Sequence, residues 1–190
     1  MAELKPEIML PSLGETIKGK EKVQENLWVL TEALEYIFNN TIEGLNAGLR
    51  KDQIFQSIEL PEHLKNHPLL KEQYVTAKDI SKMIIKQYTG WWDDIPSHWT
   101  PASIEAQAIQ IVALSGGIEN LIIYTRELAN RDLALAAHFT DWAYFAEPQN
   151  SEVQQLVLDI YKRRIMSEKS VTQEMLVYLD HMSIVREQMK

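Results

Sequence analysis

The sequence predicts an all-α fold of stacked helical hairpins, a tetratricopeptide-like helical bundle with an irregular N-terminal arm. Three observations carry that expectation. Apolar side chains recur at steps of three and four almost everywhere, capping residues and glycine or proline stops divide the chain into helix-sized lengths, and only MAELKPEIMLPSLGETIKG resists a helical pattern. Pro6, Pro11, Gly14 and Gly19 space that opening stretch into a strand or arm, which sets residues 1–20 apart from a helical body over 21–190.

Val23, Leu27, Leu30, Leu34, Phe38, Thr41 and Leu45 fall on one stripe of a long helix that Gly48 closes. Asp52 is placed to cap a short helix carrying Ile54, Phe55 and Ile58, with Pro61 as its stop. Ile80, Met83, Ile84 and Tyr88 mark the next helix, ending at Gly90. Thr100 as cap and Pro101 at the first helical position open another, and Ser115-Gly116-Gly117 ends it. A helix from about Ile118 to Ala129 follows; Asp132 then opens a third, apolar nearly all round from Leu133 to Phe145, which a helix can be only if it sits centrally. Ser151 with Gln154, and Ser170 with Gln173, fit the capping box and begin the last two helices. The final stripe is Val171, Met175, Tyr178, Leu179, Met182, Val185 and Met189. The four helices from Pro101 to about Met166 read as two successive hairpins, too few for a solenoid of their own.

Charge and composition narrow the function. The 190 residues carry 19 basic and 27 acidic side chains, a formal charge of -8, which argues against duplex nucleic acid as the main partner. No cysteine is present, so disulfide chemistry, thiolate metal sites and a cysteine nucleophile are excluded. No stretch approaches the roughly 20 apolar residues of a membrane span, and the reading is a cytoplasmic chain without nucleic-acid or membrane partners.

Few residues suggest chemistry. His63 and His67 have the i, i+4 spacing of two metal ligands, but Pro68 disfavours helix at His67, and a solvated loop is the preferred reading. His138 and Asp141 lie one turn apart, where a structural hydrogen bond is favoured over acid–base work. Asp93-Asp94 and Asp180-His181 are sequence neighbours that diverge in direction. Ser115-Gly116-Gly117 lacks the lysine of a phosphate loop, and Lys162-Arg163-Arg164 reads as a solvated basic run. No catalytic, metal or cofactor site is expected. The aromatic group Trp91, Trp92 and Trp99 stands out, because large apolar rings in a loop press on the protein's own core, a second subunit or an apolar ligand.

Three stretches carry a family likeness: TEALEYIFNNTIEGLNAGLRKDQIFQSIELPEHL, QYVTAKDISKMIIKQYTGWWDDIPSHWTP and LSGGIENLIIYTRELANRDLALAAHFTDWAYFAEPQNSEVQQLVLDIYKRR. In order, they resemble the helical dimerisation domain of the alkyl sulfatases, enzymes whose catalytic part is a metallo-β-lactamase-type domain. The likeness runs from about Met9 to the C-terminus. LPSLGETIKG resembles the end of that catalytic domain, with Leu13 where the family has a histidine ligand, and leucine cannot ligate zinc.

The resemblance therefore implies a non-catalytic module whose residues 1–20 are a remnant of a metal-binding domain. It would form a homodimer or dock on a separate metallo-β-lactamase-type catalytic subunit. Tyr74, Trp91, Trp92 and Trp99 would face that partner or its substrate, and helices Glu21 to Asn46 and Asp79 to Tyr88 would supply the dimer surface. Two other readings stay open: a tetratricopeptide-like adaptor holding a peptide, and the remnant of a split gene.

Overall fold

A computed structural model describes residues 2–11, 14–167 and 170–190. It is all-α apart from one small antiparallel pair, β1 (Ile8–Met9) and β2 (Ile17–Lys18), with Ile8 opposite Lys18 and Met9 opposite Ile17. Leu13, compared above with a zinc ligand, lies outside the described residues. The chain divides into two compact units, Met1–His98 and Trp99–Lys190.

In the first unit Gly19, at φ 103°, turns the chain from β2 into α1 (Lys20–Asn46); this left-handed backbone favours glycine. Helices α2 (Lys51–Ser57) and α4 (Ala77–Thr89) pack on α1, and the short α3 (Glu62–Lys65) lies between them in sequence. The buried line of α1 is only in part the one that periodicity marks, which it shares at Val23 and Thr41. Val23, Ala33, Ile37, Thr41 and Gly44 are buried, whereas Leu34 and Phe38 are exposed. Small residues decide this, because they admit the neighbours closely: a Cβ on Gly44 would lie 2.9 Å from Ile54 Cγ1. The buried hydroxyls of Thr41 and Ser81 meet at 2.8 Å between α1 and α4, and Thr41 also donates to the Ile37 carbonyl at 2.7 Å. Neither hydroxyl is thus left unpaired in the interior.

The second unit is built around α7 (Leu133–Ala146), which packs against α5 (Ile104–Leu114), α6 (Ile118–Leu128) and α8 (Ser151–Ile165); α9 (Thr172–Gln188) covers α8. Ala136, Ala143, Val153, Leu156, Val157, Ile160 and Val185 form the heart of its core. The axes of α5 and α6 meet at 87° across the Ser115–Gly117 turn, where Gly116 and Gly117 both have positive φ, and α5 lies on α7. Central α7 is buried along Ala136, Thr140, Ala143 and Tyr144, but Leu135 and Phe145 reach solvent. In α9 the buried side holds Met182 and Val185, while Leu179 and Met189 of the expected stripe are exposed.

Several helix starts differ from the sequence reading. Arg50 precedes α2 and pairs with Asp52 in its first turn, so Asp52 is not the cap. Helix α5 begins after Ser103, whose hydroxyl accepts from the Ala106 N–H at 3.2 Å, and so three residues beyond Pro101. Asn150 and not Ser151 caps α8, accepting from the Glu152 and Val153 N–H groups, while Gln154 donates to the Pro148 carbonyl. Before α9 the cap position is Val171, without a side-chain bond, so Ser170 is not the cap. Asp132 does cap α7, accepting from the Leu135 N–H at 2.8 Å. Among the described residues no single helix is long and apolar enough to cross a membrane.

Candidate functional site

The residues singled out in the sequence fall in three places. Trp91 and Trp92 follow the C-terminus of α4, where Gly90 at φ 75° turns the chain, and their rings meet edge to face with centroids 5.8 Å apart. Tyr74 lies just before α4 and is 50% exposed. The helix between is about 20 Å long at 1.5 Å per residue, so Tyr74 and the tryptophan pair stand at its opposite ends. Trp99, 65% exposed, opens the second unit.

The turn after Trp91 is ordered by its polar groups. Asp93 accepts from the Ile95 N–H at 3.1 Å and sits 2.6 Å from His98 Nδ1. The hydrogen bond to His98, then that from Ile95, holds the Asp93 carboxyl below the usual carboxylate range. Asp94 adopts φ 71°, a conformation costly for a residue other than glycine. Lys51 compensates: from the first turn of α2 its ammonium donates to the Trp92 carbonyl and lies 3.5 Å from Asp94, with only 12% of its side chain exposed. The result is a fixed turn that presents Trp91 at 69% exposure. Sequence reasoning missed Lys51, which lies 41 positions from Trp92, since nothing local links the two.

The second unit holds an interior polar network between α7, α8 and α9. Tyr161 donates to Asp141, and Arg164 donates to Glu174 and, at 2.9 Å, to the Tyr178 hydroxyl. Tyr144 donates to Gln188 at 2.9 Å. The His181 ring lies edge-on to Tyr144 and Tyr161, with its Nε2 buried and without a hydrogen-bond partner among the described residues. Burial raises the Asp141 carboxyl above its ordinary value, against the opposing Tyr161 bond and the charges of His181 and His138. Burial likewise pushes the Tyr178 hydroxyl up to about 12. Asp141 thus bonds a tyrosine from α8; His138, its sequence partner, is exposed.

The basic run is structural as well as solvated. Arg163 donates to the Ala129 carbonyl at 2.6 Å and so closes the C-terminus of α6, and Arg164 belongs to the network above. His63 on α3 pairs with Glu32 at 2.8 Å, and His67, beyond that helix, accepts from the Leu69 N–H. Among the described residues, no group of three or more histidines and carboxylates is placed to hold a metal ion.

Comparison with known proteins gives these parts a family. The family model described as alkyl sulfatase dimerisation matches residues 50–187. A linear primary-alkylsulfatase of Pseudomonas sp. (strain ATCC 19151) is 32% identical over 142 residues, 74% of this chain and 25% of that protein. An alkyl/aryl-sulfatase of Saccharomyces cerevisiae is 22% identical over 142 residues, 74% of this chain and 22% of that protein. The fold matches that of a stereoselective inverting sec-alkylsulfatase from Pseudomonas sp. with a TM-score of 0.85 at 19% identity, over 96% of this chain and 29% of that one. The chain thus spans about a quarter of the length of the curated relatives it matches. With the family model covering everything from α2 nearly to the end of α9, the chain belongs to the alkyl sulfatase dimerisation family.

Proposed function

We propose that this chain is a self-association module, forming a homodimer, and that it does not hydrolyse sulfate esters by itself. The family match over residues 50–187 carries the first half. The second half is supported by the donor set: hydrolysis by a metal-activated water needs convergent ligands, and no such group occurs among the described residues. The peptide-adaptor reading is not favoured, since the apolar α7 is taken up by contacts with α5, α6 and α8.

Docking on a separate metallo-β-lactamase-type subunit is the second reading, favoured by the fixed turn that carries Trp91 and Trp92. On that reading these tryptophans, with Tyr74 and Trp99, face the partner or its alkyl substrate. Light scattering across a dilution series separates the two. A mass of two chains that persists to low micromolar concentration is expected, with no release of sulfate from an alkyl sulfate in the presence of zinc. A monomer at every concentration would overturn the homodimer in favour of docking, and sulfate release would overturn the non-catalytic assignment.

A further inference from the structure

Helices α7, α8 and α9 meet around a cluster of titratable side chains that the proposed function leaves unused. Asp141 and Tyr144 come from one turn of α7, Tyr161 and Arg164 from one turn of α8, and Glu174, Tyr178 and His181 from one face of α9. Tyr161 ties the three helices together. Its hydroxyl donates to Asp141, and its ring centroid lies 4.8 Å from that of Tyr178 and 5.6 Å from that of His181. Tyr144 approaches the same imidazole edge to face at 5.0 Å.

Charge is unevenly matched in this cluster. Arg164 donates to Glu174, and their charges cancel. Asp141 has the neutral Tyr161 hydroxyl as its donor, and burial raises its carboxyl above the ordinary value. His138, one turn away on α7, is exposed, as is Asp180 beside His181 on α9, so both keep their water. Among the described residues, three side-chain N or O atoms are buried without a hydrogen-bond partner, in Gln24, Ser170 and His181. Of these three residue types only histidine changes charge between pH 5 and 8. An unpaired buried nitrogen costs stability, and so does a partly buried carboxylate without a cation. One proton on His181 answers both. Imidazolium carries a donor on each nitrogen, the Asp141 carboxylate has acceptor sites that Tyr161 leaves unused, and a charged His181 favours the ionised form of Asp141.

We propose that His181 is a proton-operated latch for α9. Protonated, it supplies the positive charge that Asp141 lacks and holds α9 on α7 and α8. Deprotonated, it leaves both groups unmatched, and α9 opens more readily. By linkage, a cation that gains an anionic neighbour on folding stabilises the folded state at low pH and loses that contribution as pH rises. Helix α9 therefore loosens from mildly acidic towards mildly alkaline conditions, while α6, which contributes no residue to the cluster, does not.

Hydrogen exchange on the whole chain at one concentration tests this. Corrected for the intrinsic pH dependence of exchange, the protection of amides in Thr172–Gln188 should fall between about pH 5.5 and about pH 8 relative to those of Ile118–Leu128. The expected fall is about tenfold, the size of a one-unit linkage. His181→Phe keeps a flat ring beside the tyrosines and removes the titrating nitrogens, and Asp141→Asn removes the carboxylate; each should abolish the fall. His138→Gln should leave it intact. A fall that persists in either of the first two variants, or disappears in His138→Gln, overturns the proposal, as does unchanged α9 protection in the unmodified chain. Where a variant does not fold, the ring signals of His181 in the unmodified chain decide by NMR. Signals that move in step with α9 protection support the latch, and signals that stay fixed between the two pH values overturn it.

Discussion

Asp141 shows how one residue can carry a measurable penalty inside a well-packed unit. Its carboxyl is partly buried between α7 and α8, accepts from Tyr161, and titrates above the ordinary carboxylate value. The folded chain therefore binds this proton where the unfolded chain, with a value near 4, has released it. Stability from this group consequently falls as pH rises from about 4 through the raised folded value. Asp141→Asn keeps an oxygen for Tyr161 and removes the charge. Its melting temperature should gain on that of the unmodified chain as pH rises from about 4 to 7; a constant difference would show that Asp141 is not the group responsible. Sequence alone offered His138 as the partner of Asp141, because helical spacing is local, while Tyr161 comes from the next helix.

At the scale of the element, caps were legible as residue types and less so as positions. Asp132 could be read directly, since the apolar run of α7 begins at the next residue and the carboxylate accepts the Leu135 N–H. Asp132→Ala should cost about 1 kcal/mol, measured by denaturant unfolding; a change below a few tenths would mean that packing alone fixes the start of α7. Asn150 displaced Ser151 as the cap of α8 because its longer side chain reaches two N–H groups, which left Gln154 to bond Pro148. The middle of the α1 stripe was misplaced for a related reason, although its ends at Val23 and Thr41 are buried. Hydrophobicity ranks Leu34 and Phe38 above Ala33 and Gly44, but a close helix crossing selects for small size, and Gly44 sits against Ile54.

At the scale of the whole molecule, the proposed self-association makes stability depend on concentration. A dimer that dissociates before or on unfolding gains stability by mass action. The melting temperature should therefore rise by several degrees between micromolar and hundred-micromolar chain. A melting temperature independent of concentration for the unmodified chain would indicate that association contributes nothing to stability. The turn at Trp91 and Trp92 belongs to this scale too, since Lys51, Asp93 and His98 fix it, and on the docking reading proposed above that order would lower the entropic cost of binding there.

The amino-acid sequence by itself determined the helical class, the order of the main helices and the family, because periodicity, caps and punctuating glycines are local signals. It also drew attention to Trp91 and Trp92, since consecutive tryptophans in a loop are conspicuous. Tertiary structure alone decided which helix faces are buried, that Lys51 holds the tryptophan turn, that Arg163 and Arg164 are tied to backbone and tyrosine, and that α5 leaves an apolar face open. The physical reason is common to all four. Burial and pairing depend on the size and reach of residues tens of positions away, and a helical repeat carries no information about which of its faces a neighbour will approach.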